Sequence, residues 1–364
     1  MVEPTNVDEC FKACVQSDFQ EAHYLPGVGT RQFAGFIRTT VTKVAGGAFG
    51  WGLNKRIRQA YEIVARNYEP GDRIMVFGFS RGAYTARSLV GMIRKCGIME
   101  KGKIGPISMA RAFRLYRKAG AENAPDEPHI MEARRKMSPR FATSKKDLES
   151  RDGEAHLVSV SYLGVWDTVG SLGLPEPVLG PIARLFNRRH SFHDTDLSSM
   201  VSAARHAVAL DERRVFYKPA LWGNLGPHTR PDGAESLGLN QGTTGDERPY
   251  QQLWFVGNHG VVGGSSELQG LVGSPRDWVL EGAKDRGLQI KEDAAFSLPD
   301  PLWPGNAGSA SALYDVASSL LEWRGGPTEE EDVHPSAFER VAARSDYRPK
   351  SLAWLMDKLG KPFD

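Results

Sequence analysis

The stretch from Ile74 to Arg87 places the strongest constraint on how this chain can fold. Four apolar residues lead into Gly78-Phe79-Ser80-Arg81-Gly82, and small and apolar residues then recur at helical spacing as far as Ile93. This pattern predicts a strand, a tight turn and a helix, with the serine hydroxyl held at the carboxyl edge of a sheet. We expect both glycines to permit a close backbone approach. The alternative is an ordinary glycine-rich turn that binds phosphate at the helix N-terminus.

Two later strand ends carry the residue types that a serine nucleophile needs. The apolar run from Leu157 to Val165 ends at Trp166-Asp167, and the run from Gln251 to Val256 ends at Gly257-Asn258-His259. Parallel strands meet at one edge of a sheet, so we expect Ser80, Asp167 and His259 to lie together. They follow the chain order nucleophile, acid, base of α/β-hydrolases. The backbone N–H of Arg81 is the expected first donor of an oxyanion hole.

Other residues compete for these roles. Asp167 is alternatively a helix N-cap, and Asp211 and Glu212 lie in a charge run that normally forms salt bridges. Four histidines are alternative bases: His190, His193, His206 and His228. One cluster has ligand-capable side chains in irregular spacing: His190, His193, Asp194 and Asp196. Irregular spacing argues against a metal site, so we expect no metal and no cofactor.

The alternation of helical and strand patterns predicts a single α/β domain over residues 1–364, built on a mostly parallel sheet flanked by helices. Residues 100–150 are polar and predict a helical insertion. Residues 175–250 are rich in glycine and proline and predict a lid or loop-rich insertion. Within that range, the run from Leu197 to Leu210 predicts a helix.

Composition limits the kinds of binding partner and the cellular compartment that we expect for this protein. The 46 basic and 44 acidic residues leave a net charge of +2, which gives no electrostatic case for nucleic acid. The three cysteines are odd in number, so we expect a reducing environment rather than a disulfide framework. Neither a membrane-spanning run nor a signal peptide is apparent, which predicts a cytoplasmic protein, with signal-independent export as the alternative.

Seven runs of sequence together resemble the α/β-hydrolase family that includes type VI secretion phospholipase effectors. The runs are PTNV, GVGT, GAFGWGL, YEPGDRIMVFGFSRGAYTAR, LGVWDTVGSLG, HAVALDERRVF and WFVGNHGVVGG. The resemblance implies an α/β-hydrolase fold and a serine esterase that acts on small-molecule or lipid esters, phospholipids among them. It also implies peripheral contact with a membrane and assigns the catalytic triad to Ser80, Asp167 and His259.

The sequence departs from that family at two places. The family usually opens with a strand ending in Asp-Gly-Thr, whereas Met1 here stands three residues before Pro4. We therefore expect the first family strand to be missing, together with the loop that supplies the second oxyanion donor, at a cost of about a hundredfold to a thousandfold in rate. Val261 also replaces an acidic residue of the family. The alternative expectation is an impaired hydrolase-fold protein that binds a ligand or partner.

Overall fold

A four-stranded parallel sheet lies at the centre of the described part of the chain. The computed structural model describes residues 3–27, 48–169, 196–230, 233–305 and 321–363. Across the sheet the strands are, in order, β1 (Ile74–Phe79), β4 (Val160–Trp166), β5 (Ala204–Ala209) and β8 (Tyr250–Phe255). Every neighbouring pair is parallel, so all four carboxyl ends lie at the same edge. The predicted α/β architecture is confirmed.

The remaining strands are short and lie outside this sheet. β2 (Phe141–Ala142) pairs in parallel with β3 (His156–Leu157), and β6 (His228–Thr229) pairs antiparallel with β7 (Glu235–Ser236). The described helices are α1 (Asn6–Ala13), α2 (Ala48–Asn67), α3 (Arg81–Cys96), α4 (Pro106–Tyr116), α5 (Pro128–Met137), α6 (Lys145–Glu149), α7 (His259–Val262), α8 (Gln269–Lys284), α9 (Pro335–Ala343) and α10 (Lys350–Lys358).

Hydrophobic cores cover both faces of the sheet. Leu163 and Val165 of β4 face a core that includes α2 and α3, while the alternating residues Tyr162 and Trp166 face a second core with α8. Burial on both faces explains why β1 and β4 read as nearly continuous apolar runs rather than as alternating patterns. The helix α3 is thereby fixed directly behind the end of β1.

The helix predicted from Leu197 to Leu210 is wrong, because the chain forms the strand β5 there. β5 pairs with β4 on one side and β8 on the other, and its alanines are buried in the sheet. Alanine favours helix in isolation, but pairing and burial on both faces override that preference. Within the range 175–250, which was predicted as a lid or loop-rich insertion, residues 204–209 belong to the central sheet. That the other residues of this range form a lid stays a prediction. Residues 175–195 lie outside the described part of the chain.

The region 100–150 is helical and is held to α3 by a buried ionic network. Asp147 accepts from Arg134 at 2.8 Å and from Arg151 at 2.9 Å, and Arg134 also donates to the carbonyl oxygen of Arg94 in α3 at 3.0 Å. All three charged partners are almost fully buried. Because breaking such a network leaves an unpaired charge in the interior, it fastens the region firmly to the helix that follows Ser80. That the region is an insertion stays a prediction.

The segment 321–363 packs beside β8 and β5. Val333 forms a parallel bridge with Trp254, and Ser351 Oγ donates to the carbonyl oxygen of Leu210 at 2.7 Å. Tyr347 donates its hydroxyl to Asp211, which lies two residues beyond the end of β5, at 2.9 Å. A third hydrophobic cluster joins α9 and α10 to these strands. The segment therefore reaches the edge of the sheet at which β5 ends.

Candidate active site

Ser80 lies at the sharp turn between β1 and α3. Its backbone has φ +57° and ψ −121°, a conformation that residues with a Cβ rarely adopt. At Gly78 a Cβ atom would stand 2.4 Å from the carbonyl oxygen of Gly82, so only glycine fits there. Gly82 itself has no atom outside its own helix within 4 Å of the Cβ position, so the expected close approach at Gly82 is wrong. The turn has the geometry of a nucleophile elbow.

Asp167 directly follows β4 and adopts a left-handed conformation with φ +35°. Its backbone N–H donates to the carbonyl oxygen of Ala207 at 2.7 Å, and the backbone N–H of Ser80 donates to Trp166 at 3.0 Å. These bonds tie the ends of three neighbouring strands together. Thr168 and Val169, the described residues that follow Asp167, are not helical, so the alternative role of Asp167 as a helix N-cap is wrong.

His259 begins the short helix α7 just beyond β8. The side chain of Asn258 caps this helix by accepting from the backbone N–H of Gly260 at 3.0 Å. The backbone N–H of His259 donates to Glu212 at 3.1 Å. Glu212 is buried and also binds Arg214 through two side-chain hydrogen bonds of 2.7 and 2.6 Å. Glu212 therefore supports the backbone of His259, a role that its place in a charge run of the sequence did not indicate.

The three candidate side chains meet in one hydrogen-bonded chain. His259 Nε2 lies 2.8 Å from Ser80 Oγ, and His259 Nδ1 lies 2.6 Å from Asp167 Oδ2. Asp167 and His259 are buried, whereas Ser80 is partly exposed. The structure therefore brings together the three strand-end residues that the sequence singled out.

Arg324 is a further charged residue at this site, and no sequence motif points to it. Its Nη1 donates to Asp167 Oδ1 at 2.6 Å and its Nη2 donates to Oδ2 at 2.9 Å. Burial raises the pKa of Asp167, but the Arg324 charge and its hydrogen bonds, with help from His259, outweigh burial and hold that pKa well below its usual range. Asp167 is therefore ionised.

The ionised carboxylate determines where the proton sits on His259. A carboxylate only accepts hydrogen bonds, so Nδ1 must carry the proton that it donates to Asp167. Burial lowers the pKa of His259, and the opposing effect of Asp167 does not fully restore it. The imidazole is thus neutral at neutral pH, with Nε2 available to accept from the Ser80 hydroxyl.

Two aromatic rings enclose the imidazole. The ring of Phe79 lies 4.6 Å from that of His259 between centroids, and the ring of Tyr217 lies 4.5 Å away. The guanidinium of Arg214 stacks over Tyr217 at 4.0 Å and pairs with Glu212 on its other side. These contacts limit rotation of the imidazole and exclude water from much of its surface.

The alternative bases do not reach Ser80 in the described part of the chain. His206 is fully buried, accepts from the backbone N–H of Thr168 at 3.1 Å and bonds Gln252, and burial lowers its pKa to about 3. It therefore supports the turn after Asp167 as a neutral residue. His228 bonds the carbonyl oxygen of Gly226. His190, His193 and Asp194 lie outside the described residues.

Val261, at the second departure from the family pattern, is buried in the cluster formed with the C-terminal helices.

Within the described ranges, no group of three or more His, Cys, Asp or Glu side chains is placed to hold a metal ion. No described helix combines the length and apolar composition that crossing a bilayer requires.

A parallel sheet with a serine elbow at its carboxyl edge defines an α/β-hydrolase-like fold. The family model described as "T6SS, Phospholipase effector Tle1-like, catalytic domain" matches residues 2–282. The chain therefore belongs to this family of type VI secretion phospholipase effector domains, which confirms the resemblance seen in the sequence.

Individual relatives are longer than this chain. An uncharacterized protein of Saccharomyces cerevisiae is 31% identical over 223 residues, which cover 59% of this chain and 29% of the yeast protein. The crystal structure of an uncharacterized protein from Pseudomonas aeruginosa is 18% identical with a TM-score of 0.32, covering 69% of this chain and 30% of that one. The Tle1 effector bound to the VgrG spike is 18% identical with a TM-score of 0.31, covering 72% and 40% respectively. The chain thus spans well under half the length of each.

Proposed function

We propose that this protein is a serine esterase that cleaves the acyl esters of phospholipids. Ser80 is the nucleophile, His259 the general base and acid, and Asp167 the carboxylate that orients His259. One observation carries the proposal: two hydrogen bonds, of 2.8 and 2.6 Å, join these side chains in the order that acyl transfer requires.

In the first half of the reaction, Ser80 Oγ attacks the ester carbonyl while His259 Nε2 takes the hydroxyl proton. The imidazolium that forms is stabilised by the ionised carboxylate of Asp167. His259 then gives the proton to the departing alcohol, which leaves the acyl group on Ser80. In the second half, a water molecule repeats these steps and releases the fatty acid.

The tetrahedral intermediates carry negative charge on the former carbonyl oxygen. Arg81 is the first residue of α3, and its backbone N–H occupies the position that supplies one oxyanion donor in hydrolases. The N-terminal end of the α3 dipole adds positive potential at the same place. Arg81 is therefore the proposed first donor of the oxyanion hole.

The substrate class rests on family membership. Its members are described as phospholipase effectors, and the chemistry proposed for Ser80 cleaves carboxyl esters rather than phosphodiesters. We therefore propose the acyl ester bond of a phospholipid at a membrane surface as the bond that is cleaved.

The test uses phospholipid vesicles with a fluorescent acyl chain, a soluble p-nitrophenyl ester and a fluorophosphonate probe. Ser80→Ala is expected to lower hydrolysis by on the order of 10⁴-fold or more and to abolish labelling. Ser265→Ala is the matched control, because Ser265 is exposed and lies beside Gly260, the residue after His259, but is outside the hydrogen-bonded chain. Hydrolysis that persists unchanged in Ser80→Ala would refute the mechanism. Vesicle binding without labelling or turnover would instead support a hydrolase-fold binding protein.

A further inference from the structure

We infer that Arg324 is a positioning residue of the proposed active site, which clamps Asp167 in the single orientation that serves His259. The inference rests on the proposed function. Arg324 belongs to the segment 321–363, which lies beyond residue 282, where the family match ends. Because Arg324 bonds Asp167, this segment contributes a residue to the site.

The contacts of Arg324 leave the Asp167 carboxylate no freedom to rotate. Each carboxylate oxygen accepts one guanidinium N–H, at 2.6 and 2.9 Å, and a second bond from the backbone N–H of Ala209 or from His259 Nδ1. A bidentate pair fixes the plane of the carboxylate as well as its distance. Rotation of the carboxylate would break bonds at both oxygens.

Arg324 is itself held from two sides. Nη1 also donates to the carbonyl oxygen of Ala209 at 2.9 Å, and Nη2 donates to that of Tyr217 at 2.5 Å. Its side chain is only 5% exposed and that of Asp167 is 0% exposed. The guanidinium therefore links the end of β5 to the turn whose aromatic ring covers His259. Such a link positions both the carboxylate and the wall of the imidazole.

Burial is the main cause that lowers the pKa of His259, and the charge of Arg324 acts in the same direction. Beside an isolated Asp167, protonation of His259 would give a neutral pair, but beside the Asp167–Arg324 pair it adds a net positive charge in a buried place. Arg324 therefore favours the neutral imidazole, the form that accepts the proton of Ser80.

The other charged or titratable groups around this site have partners of their own or face His259 without bonding Asp167. Glu212 faces His259 but is paired with Arg214, and His206 is neutral beside the Asp167 turn. Tyr217 presents its ring to the imidazole, and Arg87 of α3 faces His206. Among the described groups, Arg324 is the cation that bonds Asp167 directly.

Two substitutions separate the geometry from the charge. Arg324→Met removes both, and we expect kcat/KM to fall by about tenfold to a hundredfold, with the acidic limb of its pH profile moved to higher pH. Arg324→Lys keeps the charge but loses the bidentate contact, so we expect a reduced rate with the acidic limb unmoved. Arg340→Met is the matched control, since Arg340 is equally buried in the C-terminal segment but bonds carbonyl oxygens of residues 301, 303 and 305. It should lower stability without moving the limb.

An NMR titration of the His259 imidazole in the Ser80→Ala background needs no activity. We expect Arg324→Met to raise the pH at which His259 titrates there. An unmoved titration, or an equal shift in Arg340→Met, would overturn the inference. If Arg324→Met does not fold, a wild-type rate in Arg324→Lys would overturn it and a reduced rate would support it. A wild-type protein that hydrolyses no ester would refute the proposed function, while the titration would still decide the role of Arg324.

Discussion

Replacing Asp167 by asparagine gives the sharpest test of how the site is held together. The two carboxylate oxygens accept four hydrogen bonds, two of them from Arg324. Asparagine keeps one acceptor oxygen and turns an NH₂ group toward donors at the other position. In either orientation of the amide, one N–H of the guanidinium faces another donor. The buried positive charge of Arg324 is also left without its counter-ion.

The size of the effect follows from those contacts. Removing one partner of a buried ion pair costs about 3–5 kcal/mol, because the remaining charge stays desolvated and uncompensated. Activity should fall by about 10⁴-fold, since the amide no longer holds His259 with its proton on Nδ1. The double variant Asp167→Asn with Arg324→Met removes the unpaired charge. We expect it to recover more than half of the lost stability and none of the lost activity.

The measurement is urea unfolding followed by tryptophan fluorescence, together with ester hydrolysis by each variant. Stabilities are compared at one protein concentration and one pH, through the unfolding midpoint and slope. The coupling between the two sites is read from the double-mutant cycle. A double variant no more stable than Asp167→Asn alone would show that the ion pair is not what the site depends on, and the reasoning would be refuted.

Three further outcomes can be checked on the same preparations. Gly78→Ala should abolish labelling by a fluorophosphonate probe, because the new Cβ would meet a backbone oxygen at 2.4 Å and displace the elbow; labelling at the wild-type rate would contradict the geometry. Asp147→Ala should lower the free energy of unfolding by about 3–5 kcal/mol, since Arg134 and Arg151 would lose the buried carboxylate that they share. A loss below about 1 kcal/mol, which is what an exposed ion pair contributes, would argue against the network. Asp211 has its pKa raised to about 6 by burial, against which the Gly257 N–H and the Tyr347 hydroxyl act. Its folded state therefore holds a proton that the unfolded state releases near pH 4, and the contribution of Asp211 to stability should fall by about 2 kcal/mol as pH rises from 4 to 6.5. The lowered pKa values of His206 and His259 act in the opposite direction, so the contribution of Asp211 is read from the difference between the wild type and Asp211→Asn. Asp211→Asn should lack that fall in urea titrations, and parallel pH profiles for the two proteins would refute it.

The sequence was sufficient to predict three of the four strands of the sheet, β1, β4 and β8, and the meeting of three side chains at its edge. Ser80, Asp167 and His259 each follow an apolar run. Because parallel strands end at the same edge of a sheet, these three residues are expected to lie together there. The strand β5 was not predicted. Three of its six residues are alanines, which favour helix, and Val208 is its one β-branched residue. Its strand conformation is fixed by β4 and β8 on either side, which a local pattern does not report.

Arg324 was beyond the reach of sequence reasoning for a different reason. It sits 157 positions from Asp167 and belongs to no motif, and nothing in its neighbours distinguishes it from the many surface arginines. Glu212 was missed similarly, because a charge run normally indicates a solvated surface, whereas this carboxylate is buried beneath His259. Both roles depend on long-range packing that only the folded chain specifies.

The long separation between Arg324 and Asp167 has a consequence for the order of assembly during synthesis. A growing polypeptide leaves the ribosome from its N-terminus, so Ser80, Asp167 and His259 all emerge before Arg324, which bonds Asp167. Contacts between distant positions also form late because closing a long loop costs entropy. A nascent chain would thus contain Ser80 well before Arg324 is available to hold the carboxylate of Asp167. The assembled site therefore appears only after residue 324 has been synthesised.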